Sequence, residues 1–256
     1  MRRKVKRISE DLAERLSGWE QVDTITLLES GEEELYNPYF FLSLDVYYSG
    51  NLPEAETRQK LFSDAGAFES SSTAKKDRFL LEDMPVRVEY KNIDRINTLL
   101  DRIEENLWVF RQTGTYMFYR LQQGKLLFNR SDWLTGIQER LQHLPDSYWE
   151  ALSKAATATM EHYLTDMKSA AMEEDSFFYL ISSAGFIKSL VSSLFIINHR
   201  FEPSGRNLAD HLFNLPVLPE NFRGRYESFI SDDQEFTPAR KCEIAVLLAK
   251  SLFRLI

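Results

Sequence analysis

The sequence predicts an α+β fold in which a mixed β-sheet with flanking helices comes first and an all-helical bundle follows. Segments with the alternation or β-branched composition of strands occur only before residue 130, whereas helical periodicity continues from residue 133 to the end. A length of 256 residues also favours two domains over one. We therefore expect an α+β domain over residues 1–130 and a helical domain over residues 131–256.

The first half alternates between the two kinds of pattern. Apolar residues at three- and four-residue steps predict helices over residues 5–19 and 93–103, and Pro53 suits the first turn of a short helix over 53–64. Residues 65–76 are small and polar and predict a mobile loop. Extended runs bounded by turn residues predict strands over 22–28, 40–48, 78–81, 86–90, 116–121 and 125–128. The runs 78–81 and 86–90 are expected to form a hairpin across residues 82–85, and the last two runs a hairpin around Gly124.

The second half contains long apolar helices. Helices are expected over residues 146–171 and 177–198, and a further one begins at Thr237, where Thr suits the cap and Pro238 the first turn. The segment 177–198 is long enough to span a membrane, but a lipid-facing lysine at its centre costs about 3 kcal/mol. Because Lys188 lies within it, we predict a buried bundle helix and no membrane association.

Composition narrows the function classes. The 31 Lys and Arg residues are outnumbered by 39 Asp and Glu, and the formal net charge of -8 disfavours bulk nucleic-acid binding. Cys242 is the single cysteine, which excludes an intramolecular disulfide and a multi-cysteine zinc site. A cytoplasmic location is the simplest fit, and the sequence leaves the oligomeric state open.

The candidate site starts from an acidic residue inside an apolar strand. Asp45 lies between Leu44 and Val46, so burial requires a cation, a metal or water to satisfy its carboxylate. Alternation along residues 86–91 places Glu89 on one strand face with Arg87 and Lys91. If the two strands are neighbours in register, Asp45 and Glu89 converge beside two cations.

This convergence has two interpretations. Paired carboxylates suit Mg²⁺ and nearby cations suit phosphate, so the set fits a nucleoside triphosphate with its metal. A cross-strand pair between Asp45 and Arg87 or Lys91 would need no ligand and would contribute about 0.2–1 kcal/mol. The residues alone leave both interpretations open.

Three strand segments carry a resemblance to a known family. They are Leu27-Leu28-Glu29-Ser30, Leu42-Ser43-Leu44-Asp45-Val46 and Val86-Arg87-Val88-Glu89-Tyr90. Their order, with the hairpin around Gly124 and the helical half behind it, resembles the nucleotidyltransferase superfamily, which includes aminoglycoside and lincosamide nucleotidyltransferases. In that family one strand ends in Gly-Ser, a second carries Asp-x-Asp and a third adds a carboxylate. The N-terminal half is therefore expected to hold a nucleotidyltransferase-like mixed sheet.

The sequence departs from the family pattern at the motif positions. Glu29 stands where the family has glycine, and an added carboxylate repels a triphosphate. Ser43 stands at the first aspartate of Asp-x-Asp, which leaves Asp45 and Glu89; in an alternative register Asp45 is the first and Tyr47 replaces the second. Either way one of three carboxylates is missing, which removes much of a two-metal clamp.

The resemblance implies a nucleotidyltransferase-like protein, weakly active or inactive, that binds a nucleotide or other small ligand in a cleft between the domains. An active protein would use Mg²⁺ and a nucleoside triphosphate, with Asp45 and Glu89 as catalytic and metal-binding residues; an inactive one would need neither. Residues expected to contact the ligand are Ser30, Ser43, Arg87, Lys91 and, in the helical half, Arg206 or Arg200. The alternative is a noncatalytic module that keeps the fold and binds a small ligand or a protein.

Overall fold

The computed structural model describes residues 2–28, 40–71, 75–205 and 208–256. The first part contains α1 (Arg2–Ser17), β1 (Val22–Leu27), β2 (Leu42–Tyr48), α2 (Ala55–Leu61), β3 (Gly66–Ser71), β4 (Lys76–Leu81), β5 (Met84–Asn92), α3 (Ile93–Asp101), α4 (Leu107–Thr113), α5 (Tyr116–Gln123) and β6 (Lys125–Asn129). It is followed by α6 (Trp133–Gln142), α7 (Asp146–Met172), α8 (Ser176–Ile197), α9 (Leu208–Phe213), α10 (Phe222–Ile230) and α11 (Pro238–Leu252). The α+β class predicted from the sequence is confirmed.

The strands form one six-stranded mixed sheet in the order β3-β4-β5-β2-β1-β6. Strands β2 and β5 are parallel, and each of the other neighbouring pairs is antiparallel. The hairpin predicted between 78–81 and 86–90 is confirmed by β4 and β5, which a turn at Glu82 and Asp83 connects; both turn residues have positive φ, as a tight hairpin turn requires.

Strand β2 is central and buried on both faces. Its alternate residues from Leu42 to Tyr48 join an apolar core with Ile8, Leu12 and Leu16 of α1. The intervening residues Ser43, Asp45 and Tyr47 lie on the opposite face because side chains alternate along a strand. A polar face of the sheet is thus covered rather than open to water.

The predicted strand over residues 116–121 is wrong, because this segment forms helix α5. Phe118 and Leu121, three residues apart, are both fully buried, and the rings of Tyr116 and Tyr119 stack with centroids 6.2 Å apart. This is the spacing of one helix face. Strand β6 exists as predicted, but it pairs with β1 and not with residues 116–121.

The predicted loop over residues 65–76 is also wrong for most of its length. Residues Gly66–Ser71 form β3, which pairs antiparallel with β4 at the end of the sheet. Most of β3 is exposed. Small polar residues are compatible with an exposed edge strand and with a loop, so composition alone does not distinguish the two.

The contacts divide the chain into two compact units. One comprises Met1–Arg102 and Arg120–His143, and the other comprises Ile103–Tyr119 and Leu144–Ile256. The second unit has its own apolar core, to which α7, α8 and α11 contribute residues such as Met160, Leu190 and Leu248. The domain boundary expected at residue 130 stays a prediction.

Helix α8 is, in the part of the chain that the structure describes, the one helix long and apolar enough to cross a membrane by length and composition. Half of its most apolar window is buried inside the fold. Leu190 and Leu194 are fully buried in the core of the second unit. The helix therefore serves as a core helix of that unit, as expected from the sequence.

Candidate functional site

The candidate site lies on the polar face of β2 and the parallel strand β5. Their register places the Cα of Asp45 opposite that of Glu89. The neighbouring pairs in the same register are Ser43 with Arg87 and Tyr47 with Lys91. The expected convergence of Asp45 and Glu89 beside two cations is confirmed, because the strands are adjacent and in register.

Asp45 is held by two cations. The Arg120 guanidinium donates from Nε to Oδ2 and from Nη2 to Oδ1, each at 2.7 Å, and so binds the carboxylate through both oxygens. Lys91 Nζ lies 2.7 Å from Oδ2. The side chains of Asp45 and Arg120 are each 2% exposed. Asp45 is therefore a buried carboxylate whose two oxygens are already occupied.

Glu89 forms the more accessible half of the same network. Its Oε1 lies 3.2 Å from Arg87 Nε and 3.2 Å from Lys76 Nζ, and its Oε2 lies 4.0 Å from Lys91 Nζ. Ser43 Oγ accepts from Arg120 Nη2 at 2.8 Å and from Arg87 Nη2 at 3.3 Å. We refer to the connected set of Ser43, Asp45, Lys76, Arg87, Glu89, Lys91 and Arg120 as the Asp45 cluster.

Aromatic rings close the cluster on two sides. Tyr47 is fully buried, its hydroxyl donates to Asp45 Oδ2 at 3.4 Å, and its ring lies 5.1 Å from that of Trp133 in α6. The Arg87 guanidinium lies 4.0 Å above the ring of Phe41. Asp45 and Tyr47 are almost completely buried, and a buried environment strengthens the charge interactions within it.

Burial and neighbouring charges together shift the pKa values of Asp45, Glu89 and Lys91. Burial by itself raises the pKa of Asp45, but the positive charges of Lys91 and Arg120 outweigh it and hold that pKa below its ordinary value. The pKa of Glu89 is lowered for the same reason, since Arg120 and Lys91 outweigh the effect of burial. Burial lowers the pKa of Lys91, and the Asp45 carboxylate opposes this only in part. Both carboxylates are therefore ionised at neutral pH.

Sequence reasoning missed Arg120 and Lys76. The strand predicted over residues 116–121 includes Arg120 and the loop predicted over 65–76 includes Lys76, and neither prediction gives its residue a role at the site. A signal for Arg120 was present, because a buried Asp45 required a cation and Arg120 is a cation within the mostly apolar run of 116–121. No local pattern indicated that Arg120 of α5 contacts Asp45 of β2.

Two of the predicted ligand contacts cannot be placed. Ser30 and Arg206 lie outside the residues that the structure describes. Arg200 is described and exposed, at the end of the turn that follows α8. Of the residues predicted for the ligand, the cluster brings together Ser43, Arg87 and Lys91.

Comparison with known proteins relates this geometry to a fold. The crystal structure of a nucleotidyltransferase-like protein from Exiguobacterium sibiricum 255-15 aligns with a TM-score of 0.50 and 10% sequence identity, covering 96% of this chain and 73% of that one. The fold is nucleotidyltransferase-like. A family model described as a domain of unknown function, DUF4037, matches residues 110–206. No curated protein matches the chain.

In a nucleotidyltransferase-like fold the acidic strand residues are expected to hold Mg²⁺, and the Asp45 cluster does not fit that ion as arranged. Magnesium requires oxygen ligands in octahedral geometry, but the Asp45 oxygens accept from Arg120 and Lys91 and the Glu89 oxygens face Arg87 and Lys76. Among the described residues, no group of three acidic, histidine or cysteine side chains is placed to hold a metal. Arg120 and Lys91 stand where a metal's positive charge would be needed.

Proposed function

We propose that the protein keeps the nucleotidyltransferase-like fold without two-metal nucleotidyl transfer, and that it binds an anionic small molecule, with a nucleotide as the first candidate. The occupied carboxylate of Asp45 carries this proposal. Its ion pairs with Arg120 and Lys91, at 2.7 Å, would have to break before the residue could ligate a metal. Breaking a buried pair leaves an uncompensated charge, which costs about 3–5 kcal/mol.

The charge balance of the cluster favours an anion. Four cationic side chains, Lys76, Arg87, Lys91 and Arg120, surround the two carboxylates of Asp45 and Glu89, which leaves a surplus of two positive charges. This surplus stands out in a chain whose formal net charge is -8. A phosphate or carboxylate group meeting such a surplus forms charge-assisted hydrogen bonds, and Arg binds it through two donors at once.

Exposure separates the ligand-facing residues from the supporting ones. The side chains of Lys76, Arg87 and Lys91 are 24%, 20% and 16% exposed, whereas that of Arg120 is 2% exposed. We therefore assign the ligand contacts to the first three and a supporting role to Arg120 and Asp45. Ser30 and Arg206 remain proposed contacts of the same ligand.

Isothermal titration calorimetry tests this proposal. We expect ATP, GTP, CTP or UTP to bind in the presence of EDTA, with an affinity that Mg²⁺ does not increase. Arg87→Gln should weaken binding about tenfold, corresponding to about 1.4 kcal/mol. The matched control is Arg95→Gln, an exposed cation of α3 outside the cluster, which should bind as the unmodified protein does.

Two results would contradict the proposal separately. Absence of binding by every nucleotide at millimolar concentration would reject a nucleotide as the ligand. Mg²⁺-dependent transfer of a nucleotidyl group that is lost in both Asp45→Asn and Glu89→Gln would instead show that the two carboxylates serve an active enzyme.

A further inference from the structure

The carboxylate of Glu89 lies among the three partly exposed cations of the Asp45 cluster. Its Oε1 is 3.2 Å from Lys76 Nζ and 3.2 Å from Arg87 Nε, and its Oε2 is 4.0 Å from Lys91 Nζ. These three cations are the residues to which we assign the ligand contacts. The position in which they would receive an anion is therefore already held by an anion of the protein itself.

Glu89 is held less closely than the neighbouring carboxylate of Asp45. Asp45 accepts from two nitrogens of Arg120 and lies beside the Lys91 ammonium, each at 2.7 Å, and its side chain is 2% exposed. The shortest ion-pair distances of Glu89 are 3.2 Å, and its side chain is 21% exposed. Charge-assisted hydrogen bonds from nitrogen to oxygen are normally about 2.7–2.9 Å long. The contacts of Glu89 are therefore loose, and its side chain reaches solvent.

A like charge opposes Glu89 from the adjacent strand. The register of β2 and β5 places the Cα of Asp45 directly opposite that of Glu89. Two negative charges repel each other, most strongly where water is partly excluded. Asp45 is buried and bound through both oxygens. Glu89 is therefore the carboxylate that can turn toward solvent when another anion reaches the cluster.

We propose that the Glu89 carboxylate is an internal substitute for a phosphate group of the ligand, and that this phosphate displaces it from the three cations on binding. The inference rests on the proposed function, because it concerns the same anion. A phosphate group offers three acceptor oxygens and a carboxylate two. Phosphate can therefore accept from all three cations, whereas Glu89 approaches two of them at 3.2 Å and Lys91 only at 4.0 Å. Competition by Glu89 lowers the affinity of the cluster for its ligand.

Calorimetry with ATP and with inorganic phosphate, both in the presence of EDTA, tests the displacement. Glu89→Gln removes the competing charge and should lower the dissociation constant of each probe about tenfold. The matched control is Glu82→Gln, which removes the same charge from an exposed ion pair with Arg7 and should leave binding unchanged. Glu89→Asp keeps the charge but shortens the side chain, and should lower the dissociation constants by less, about threefold. Far-ultraviolet circular dichroism shows whether each variant keeps its fold.

A purely structural role of Glu89 predicts the opposite result. If Glu89 only organised the cations, Glu89→Gln would weaken binding; unchanged or weaker binding by this variant would overturn the inference. The proposed function would still stand in that case, provided that ATP binds the unmodified protein and Arg87→Gln weakens it. If the unmodified protein bound no nucleotide, the proposed function would fail by its own test, and inorganic phosphate would decide the role of Glu89. Binding of phosphate by Glu89→Gln alone would support the displacement, and no binding by either protein would overturn it.

Discussion

Arg120 supplies a permanent positive charge to the one carboxylate of β2. A guanidinium does not lose its proton in proteins and binds a carboxylate through two parallel donors, so it neutralises Asp45 without metal or solvent. The first unit contains a second buried pair of this kind, in which Arg58 binds Asp77 at 2.9 and 3.1 Å while Tyr90 donates to the same carboxylate. Arg58 and Asp77 carry no surplus charge, whereas the Asp45 cluster does. We therefore assign ligand binding to the Asp45 cluster alone.

Replacing Arg120 should strongly destabilise the protein. Arg120→Met leaves Asp45, 2% exposed, with Lys91 as its remaining close cation, and we expect a loss of about 3–5 kcal/mol in the free energy of unfolding. The matched control is Arg140→Gln, which removes an exposed pair with Asp101 and should cost less than about 1 kcal/mol. Urea denaturation measures both. A loss below about 1 kcal/mol in Arg120→Met would show that Lys91 alone satisfies the carboxylate.

The dependence of the free energy of unfolding on acidic pH provides a second measure of the ion pair between Asp45 and Arg120. Because the pKa of Asp45 is lower in the folded chain than its ordinary value of 3.8, its contribution is complete at neutral pH and is lost as the pH falls through the folded value. Arg120→Met raises that folded pKa. Its free energy of unfolding should therefore fall less steeply as the pH drops below the ordinary value of 3.8.

At the scale of elements, the sequence indicated β2 and β5 because the alternation in 86–91 and the aromatic run in 40–48 each fit the period of a strand. Their parallel register follows from distant pairing, which no local pattern encodes. The strand prediction for residues 116–121 was wrong for another reason, because a six-residue aromatic run fits a strand and a helix equally well. The burial of both Phe118 and Leu121 is consistent with the helix. Because of that error, the sequence analysis did not identify Arg120 as the cation that pairs with Asp45.

Gly124 allows α5 to approach β1 closely enough for Arg120 to reach Asp45. A Cβ at this position would lie 2.8 Å from the Arg120 carbonyl oxygen and 2.8 Å from Thr26 Oγ1. Gly124→Ala should therefore displace the end of α5 and lower the free energy of unfolding by about 1–3 kcal/mol. Thermal unfolding followed by circular dichroism measures the change.

The control for Gly124 is a glycine with free space. Gly136 lies in α6 and is exposed, and a Cβ built there meets nothing within 4 Å. Gly136→Ala should stabilise the protein by about 0.5–1 kcal/mol, because alanine loses less conformational entropy in a helix. Equal effects of the two substitutions would contradict the close approach at Gly124.

At the scale of the whole molecule, the α+β class follows from the order of the elements, since strand patterns precede 130 and helices follow. The assignment of segments to the two units does not follow from that order. The unit with the sheet takes in Arg120–His143 and the helical unit takes in Ile103–Tyr119. The unit to which a segment belongs depends on which faces pack together. A periodic pattern indicates that a face is apolar but does not indicate which face it packs against.

Each unit has a core of its own, so damage to one core should remain local. Leu12 and Leu248 are both fully buried, the first against the sheet and the second in the helical core. Leu12→Ala and Leu248→Ala should each cost about 2–5 kcal/mol. Hydrogen exchange measured by mass spectrometry should show faster exchange mainly in Met1–Arg102 and Arg120–His143 for the first variant, and in the other unit for the second. If either variant accelerated exchange equally in both units, the cores would unfold as one, and free energies of unfolding for the whole chain would then describe a single transition.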